Sequence, residues 1–571
     1  MQLSDFVIRF GAEGGAGIVT ASEILAQSAT EVGYHALTFS TFPSQIMGGP
    51  VWTQTRISVS PVLSAGDDID VLVAFNQEAY DNHRSDVRDE GVIIYDSGEF
   101  ELENESRSLG LPLDELAKST GNLRAANMVV IGALAQLFGM PQSDLDEFVT
   151  RRFTRGRSGD QEIIDSNIKA MLLGSQQAVE SGFSIGELAT PTMPEGEQIM
   201  LAGNQAMSLG SLAAGLEFYA GYPISPATTM LVYMERNLVG PGKFAYQVSS
   251  EIESITSILG AGFAGKKAMT ATAGPGFSLM GEGLGLAWMA EIPLVVVDVQ
   301  RGGPATGLPT KTEQSDLMAC MFPAHGDVRL PVIAVGSVEE CFYGAIKAVN
   351  WAERYQGPVI LMSEISVADR VQNIPKPDLS QVEAEQRKVY QGSNGYHRYE
   401  GFELSPMPLP GNPGAYMANG SEHDEMGDTT HLPERHIQMT ERRFSKLKLL
   451  EEDEYERDQA EQSVVMMPWG GTKGPALEAY NALKEQGVPV GWYYTMLLNP
   501  LPPKLLKELK EKELVIVPEL NYQGQFASIL RSQGVRAEAV TQYTGLPFKV
   551  RDLVRKITEI TRSTSKEMAG A

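Results

Sequence analysis

Between residues 198 and 362 the sequence alternates between short apolar runs and stretches with helical spacing. This alternation constrains the fold more than any other feature. Short apolar runs fall at 244–248, 268–271, 294–299, 332–335 and 359–362, and helical patterns fill the intervals. Ser337 and Glu340 have the spacing of a helix-opening capping box, for a helix predicted to run to about residue 354. Strands that alternate with helices are joined by crossovers and lie mostly parallel. In such a sheet, ligands bind beyond the carboxyl ends of the strands. The loops that leave the strands are therefore where chemistry is expected.

Several of these loops carry polar groups on stiff backbone. In Gly221-Tyr222-Pro223-Ile224-Ser225-Pro226 the two prolines cannot lie inside a helix. Helical spacing over 206–219 predicts a helix that stops at Gly221, so the turn reads as a link between two helices with the Ser225 hydroxyl held on it. Ser249-Ser250-Glu251 reads as the cap of the next helix. Gly274-Pro275-Gly276 follows the run at 268–271, and Gln300-Arg301-Gly302-Gly303-Pro304 follows the run at 294–299. Glu251, Gly274, Gly276 and Arg301 thus share one predicted edge. The plain structural alternative makes Glu251 a helix-start acid and Arg301 a surface ion-pair partner.

The N-terminal third is a second α/β region. A strand at 6–10, the run Gly11-Ala12-Glu13-Gly14-Gly15-Ala16-Gly17 and a helix over 18–31 form a strand–glycine turn–helix unit, which can present backbone N–H groups to a phosphate. A dinucleotide fold would place an acid after the second strand, yet residues 34–39 are followed by Ser40-Thr41-Phe42-Pro43. NAD is therefore disfavoured, leaving another phosphate-bearing ligand or a bare turn. Further strands are predicted at 53–59, 71–75 and 92–95, a buried helix at 127–137, and a proline-marked linker at 190–196.

Residues 374–443 are rich in proline, glycine and polar residues and read as a long connection. The acid-dense run 451–461 reads as a solvated helix. A smaller α/β unit follows, with strands at 464–467, 514–517 and 537–540. Its Trp469-Gly470-Gly471-Thr472-Lys473-Gly474 lacks the spacing of a nucleoside-triphosphate loop.

The formal net charge of -26 argues against nucleic acid or an anionic membrane as the main partner. Two cysteines, Cys320 and Cys341, with no C-x-x-C, exclude a disulfide scaffold, suit a cytoplasmic protein and leave no ligand set for an iron–sulfur cluster. His423, His431 and His436 have no zinc-like spacing and read as loop or surface residues. The first ten residues lack the pattern of a signal peptide, and the longest apolar runs are short or interrupted, so no membrane span is expected.

Taken together, these motifs resemble the α subunits of 2-oxoacid:ferredoxin oxidoreductases with a γ domain fused at the N-terminus, above all the 2-oxoglutarate enzymes. The resemblance is carried by the loop Gly11–Gly17, Gly203-Asn204-Gln205, the Tyr222–Pro226 turn, Ser250-Glu251, Gly274-Pro275-Gly276, Gln300–Pro304 and Thr310-Lys311-Thr312-Glu313-Gln314. It extends to Gly420-Ser421-Glu422-His423-Asp424-Glu425, Trp469–Gly474 and Glu519-Leu520-Asn521-Tyr522.

The resemblance implies three α/β domains: a γ-like domain over 1–190, a thiamine pyrimidine-binding-like domain over 196–375 and, after a connection over 376–462, a transketolase C-terminal-like domain over 463–571. It implies CoA-dependent oxidative decarboxylation of 2-oxoglutarate to succinyl-CoA, with electrons passed to ferredoxin. Thiamine diphosphate would be shared with a β subunit that holds Mg2+ and a [4Fe-4S] cluster, in an (αβ)2 assembly. By the same resemblance Glu251 is the catalytic carboxyl on the cofactor's pyrimidine ring, with Glu253 its nearby rival. Tyr222, Pro223, Gly274 and Gly276 line the cofactor, and Ser225, Arg301 and Lys311 bind substrate. Gly11, Gly14, Gly15 and Gly17 are candidate contacts for CoA or a phosphate. Ser225 stands where the family commonly has threonine. Pyruvate or another 2-oxoacid as substrate, and a non-catalytic scaffold subunit, are the alternative readings.

Overall fold

The structure, a computed structural model, describes residues 2–43, 49–103 and 105–570. It forms two compact units, residues 1–201 with 370–376, and residues 202–369 with 377–571. The sequence reading ended its second domain at residue 375. The structure instead gives 370–376 to the first unit, because Val371–Pro375 pairs antiparallel with His35–Thr41.

The first unit is built on an eight-stranded mixed sheet. Its strand Asp5–Glu13 runs antiparallel to Pro50–Ser58 and parallel to Ile69–Ala74. The helices Ile18–Glu31, Ala126–Leu137 and Asp160–Ser181 supply much of its apolar core. The last two approach closely through Gly132 and Gly174, where a Cβ would run into the carbonyls of Met171 and Val129.

The second unit contains a seven-stranded sheet in the order Phe244–Gln247, Phe218–Gly221, Ala268–Thr272, Leu294–Gln300, Pro358–Glu364, Val332–Ala334 and Leu497–Asn499. Every pairing is parallel except the last. Leu294–Gln300 and Pro358–Glu364 are buried along their whole length, as their apolar runs require. A five-stranded sheet follows, with Val464–Met466, Gly491–Tyr494, Leu514–Glu519 and Ala537–Thr541 parallel and Glu456–Asp458 antiparallel at its edge.

Two expectations are corrected. The helix predicted over 206–219 ends at Ala213. Gly215 then turns the chain with φ +84°, and Phe218–Gly221 enters the sheet as a strand. The Tyr222–Pro226 turn therefore leaves a strand, as the other site loops do. The acid run 451–461 is not a solvated helix. It holds the short strand Glu456–Asp458, and Glu452 and Glu454 pair with Lys347 and Arg354. Of the two settings read for the histidines, His423 takes the loop one: it is buried in the connection, its ring 4.4 Å from that of Tyr399.

Buried carboxylates anchor the long connection: Glu353 accepts from Arg387, and Glu291 gathers a larger cluster. Glu291 accepts from Arg442 at 2.8 and 3.1 Å and from Lys446 at 2.9 Å, with Arg398 at 3.8 Å. These cations hold Glu291 well below the usual carboxylate range, although burial opposes them. Burial pushes the Lys446 amine down to about 7. Arg442 and Lys446 lie on the helix Pro433–Ser445 and the turn after it, so the segment is ordered through a buried charge cluster.

Candidate active site

Four neighbouring strands of the seven-stranded sheet end on one edge; three of them send out a loop with a polar side chain, and the fourth sends out Gly274-Pro275-Gly276. Because these strands are parallel, the loops after Phe244–Gln247, Phe218–Gly221, Ala268–Thr272 and Leu294–Gln300 lie together.

Glu251 opens the helix Glu251–Phe263. Ser250 caps it by accepting the Glu253 N–H at 3.2 Å, and the Glu253 carboxylate turns back to Ser249. Glu253 is thereby committed to the helix end, whereas Glu251 is 7% exposed and no described residue donates to its carboxylate. Gly276 lies against it: a Cβ there would come within 2.6 Å of Glu251 Oε1 and would also strike the Thr272 hydroxyl.

Arg301 is buried at the end of Leu294–Gln300 and donates from one terminal nitrogen to the Ser225 carbonyl at 2.8 Å. Its Nε is buried with no partner among the described residues. The Ser225–Pro226 peptide is cis, and the Ser225 side chain is exposed. Asn204 steadies this turn, donating to the Pro226 carbonyl at 3.0 Å and the Thr229 hydroxyl at 2.8 Å. Tyr222 is exposed and Pro223 half-buried on the same turn. Gly274 opens the helix Gly274–Leu279 and packs on Asp316, whose Oδ2 would lie 2.6 Å from a Cβ at that position. Contacts thus link Ser225 to Arg301 and Gly274 to Asp316, and the Asp316 N–H donates to Gln300, the residue before Arg301, at 3.1 Å. Gly276 connects this group to Glu251.

Lys311 lies on the return arm of the loop that starts at Arg301, where its carbonyl accepts the Gly302 N–H at 2.9 Å. Its amine is half-buried, meets no acceptor among the described residues and is lowered from its ordinary range by burial. Gln314 fixes the end of this loop. It exchanges hydrogen bonds with Leu520, donates to the Trp469 carbonyl at 2.8 Å and accepts from Asn521 at 2.9 Å. Glu519 accepts from the N–H groups of Phe526 and Ala527, from Asn521 and from the Trp469 ring. The Trp469–Gly474 and Glu519–Tyr522 motifs therefore supply the framework of the Lys311 loop.

The glycine run of the first unit divides in two. Gly11 is inside the strand Asp5–Glu13 and buried, and a Cβ there would meet that of Ala79 at 2.8 Å. It makes room for the helix Gln77–His83 and is not on the loop. Gly14 and Gly15 are exposed, and Gly17 precedes the helix Ile18–Glu31 with φ +76°.

Sequence reasoning did not single out Asp316 or the partnership of Asn204 with the turn. The interruption of an apolar run by Asp298, which neighbours Asp316, was the available signal.

A family described as "Pyruvate flavodoxin/ferredoxin oxidoreductase, thiamine diP-bdg" matches residues 209–442, and "Pyruvate ferredoxin/flavodoxin oxidoreductase" matches residues 7–177. The chain is 31% identical to 2-oxoacid:ferredoxin oxidoreductase 2, subunit alpha, of Aeropyrum pernix, over 97% of this chain and 98% of that one. It is 30% identical to the 2-oxoglutarate oxidoreductase subunit KorA of Mycobacterium tuberculosis, over 97% and 91% of the two chains. It is also similar to the 2-oxoglutarate:ferredoxin oxidoreductase of Magnetococcus marinus, solved with 2-oxoglutarate, coenzyme A and succinyl-CoA bound. That match has 36% identity and a TM-score of 0.92, and covers 98% of this chain and 100% of the other.

Proposed function

Because this chain belongs to the family of 2-oxoacid:ferredoxin oxidoreductase α subunits, we propose that it works with a β subunit to convert 2-oxoglutarate and CoA to succinyl-CoA and CO2, passing electrons to ferredoxin. The observation that carries this reading is the shielded Glu251 carboxylate, which has no donor among the described residues and is cradled by Gly276. Such a carboxyl suits an aminopyrimidine ring, whose nitrogen would be its hydrogen-bond partner. Glu251 would hold thiamine diphosphate on that side, with Tyr222, Pro223, Gly274 and Gly276 around it. The cofactor supplies the electron sink that a 2-oxoacid needs to lose CO2. Shielded from water, the Glu251 carboxyl would hydrogen-bond the ring nitrogen and so hold the ring for proton exchange.

Arg301 binds the carboxylate beside the keto group, as a guanidinium does through paired N–H donors. The Ser225 hydroxyl meets the keto oxygen, and the unpaired Lys311 amine meets the distal carboxylate. Diphosphate, Mg2+ and the [4Fe-4S] cluster are assigned to the β subunit of an (αβ)2 complex in the cytoplasm. Gly14, Gly15 and Gly17 are offered to a phosphate of CoA, and Gly11 no longer is.

A second reading, pyruvate or another monocarboxylic 2-oxoacid, draws on Lys311 being a single amine rather than a fork, and on Ser225 in place of threonine. The test is anaerobic dye reduction by the co-expressed complex with a panel of 2-oxoacids. The proposal expects 2-oxoglutarate to have the highest kcat/KM. Preference for pyruvate favours the second reading, and inactivity with every 2-oxoacid removes both.

A further inference from the structure

Against Gln300, the residue before Arg301, lies a group of acids that the reading above does not use. Asp316 stands at the start of the short helix Leu317–Met321 but makes no side-chain cap to it. Its N–H donates to Gln300 Oε1 at 3.1 Å, and its carboxylate lies against the backbone of Gly274. Oδ2 is buried with no partner among the described residues. Behind it, on the strand Leu294–Gln300, Asp298 is fully buried. Asp298 accepts from Cys320 Sγ at 3.5 Å through one oxygen, and its other oxygen has no described partner. The charged and titratable groups acting on Asp316 are Arg301 and Glu313 from the loop, Asp298 from the strand and Cys320 from its own helix.

We propose that Asp316 is a positioning residue that competes with the substrate for the charge of Arg301, and so keeps the guanidinium from holding the departing carboxylate too firmly. The inference rests on Arg301 binding that carboxylate. In decarboxylation the carbon–carbon bond breaks, its electron pair goes to the former keto carbon, and the carboxylate leaves as neutral CO2. A cation facing the carboxylate stabilises the reactant more than the transition state, and that lowers kcat. An ionised Asp316 offsets part of the excess. Burial and Glu313 push Asp316 up to about 6 against the pull of Arg301, so its charge changes near neutral pH. Burial and Asp316 raise Asp298 well above the carboxylate range.

The test uses the assembled α–β complex and the variant Asp316→Asn. The variant should lower KM for the 2-oxoacid roughly five-fold and lower kcat by a similar factor, leaving kcat/KM nearly unchanged. KM of the unaltered complex should rise as pH passes upward through about 6, and that of the variant should stay level over the same range. A second readout needs neither turnover nor substitution. Glutarate, which has both carboxylates and no keto group, should bind the unaltered complex more weakly above about pH 6 in calorimetry. A merely structural Asp316 would give lower kcat at unchanged KM and a level glutarate profile, and either result overturns the proposal. Turnover intact with a level profile removes the role of Asp316 alone, whereas no turnover of any 2-oxoacid removes the reading it rests on.

Discussion

Two motif-rich regions of the second unit differ in how their polar groups are used. Around Gln314 and Glu519 nearly every donor and acceptor is matched. Gln314 engages both its backbone groups and both ends of its side chain, and Glu519 accepts four hydrogen bonds. Around Glu251, Ser225 and Lys311 the side chains have no described partner, and Arg301 Nε is buried without one. A buried polar group left open costs stability unless something else fills it. Matched groups therefore mark the framework, and the open groups are those we propose for ligand binding. Both regions stand out in the sequence, and only their hydrogen bonding tells them apart.

Substitutions break this contrast from either side. The largest effect is expected from Glu251→Gln, which should lower turnover about a thousand-fold. It should change stability by less than about 0.5 kcal/mol in chemical denaturation of the complex, because no described contact is lost. The reverse pattern is expected for Glu519→Ala. This change strands the Phe526 and Ala527 N–H groups and should cost about 2–4 kcal/mol in denaturant titrations. Any loss of activity should follow the unfolded fraction.

Arg301→Ala should raise KM for the 2-oxoacid roughly 10- to 100-fold, the worth of a charge-assisted contact, in steady-state kinetics. Lys311→Met should raise KM for 2-oxoglutarate about 5- to 10-fold and leave that for pyruvate unchanged, which isolates the distal carboxylate. The smallest effect is expected from Ser225→Thr. The hydroxyl survives and the side chain is exposed, so kcat/KM should change by less than about three-fold in the same assay.

Much of this architecture was legible because period and punctuation agree. The helix Ile18–Glu31 begins and ends where its glycine run and its spacing predict. The buried strands of the seven-stranded sheet fall on the Val- and Ile-rich runs. The failures share a physical origin. Residues 206–219 carry a helical pattern, but Gly215 in the left-handed region ends the helix early and tertiary pairing draws Phe218–Gly221 into the sheet. The acids after Glu451 resemble a solvated face until Lys347 and Arg354, distant in sequence, arrive to pair with them.

At the site, residue types at loop starts pointed to Glu251 and Arg301. Their nearness depends on strand order, which sequence spacing does not state. Asp316 stayed unnoticed because only the approach of Gly274, far away in the chain, gives it a setting. Gly11 shows the opposite error, since a glycine required for helix packing resembles one required for a phosphate.

The central claim is that this chain forms the pyrimidine-side half of a 2-oxoglutarate-oxidising site. The most direct measurement is anaerobic reduction of a low-potential dye by the chain assembled with its β partner, with and without CoA, on 2-oxoglutarate and on pyruvate. The account predicts CoA-dependent reduction with 2-oxoglutarate preferred, and about a thousand-fold slower reduction by an equally assembled Glu251→Gln complex. Full activity in that variant, or reduction that ignores every 2-oxoacid, would contradict it.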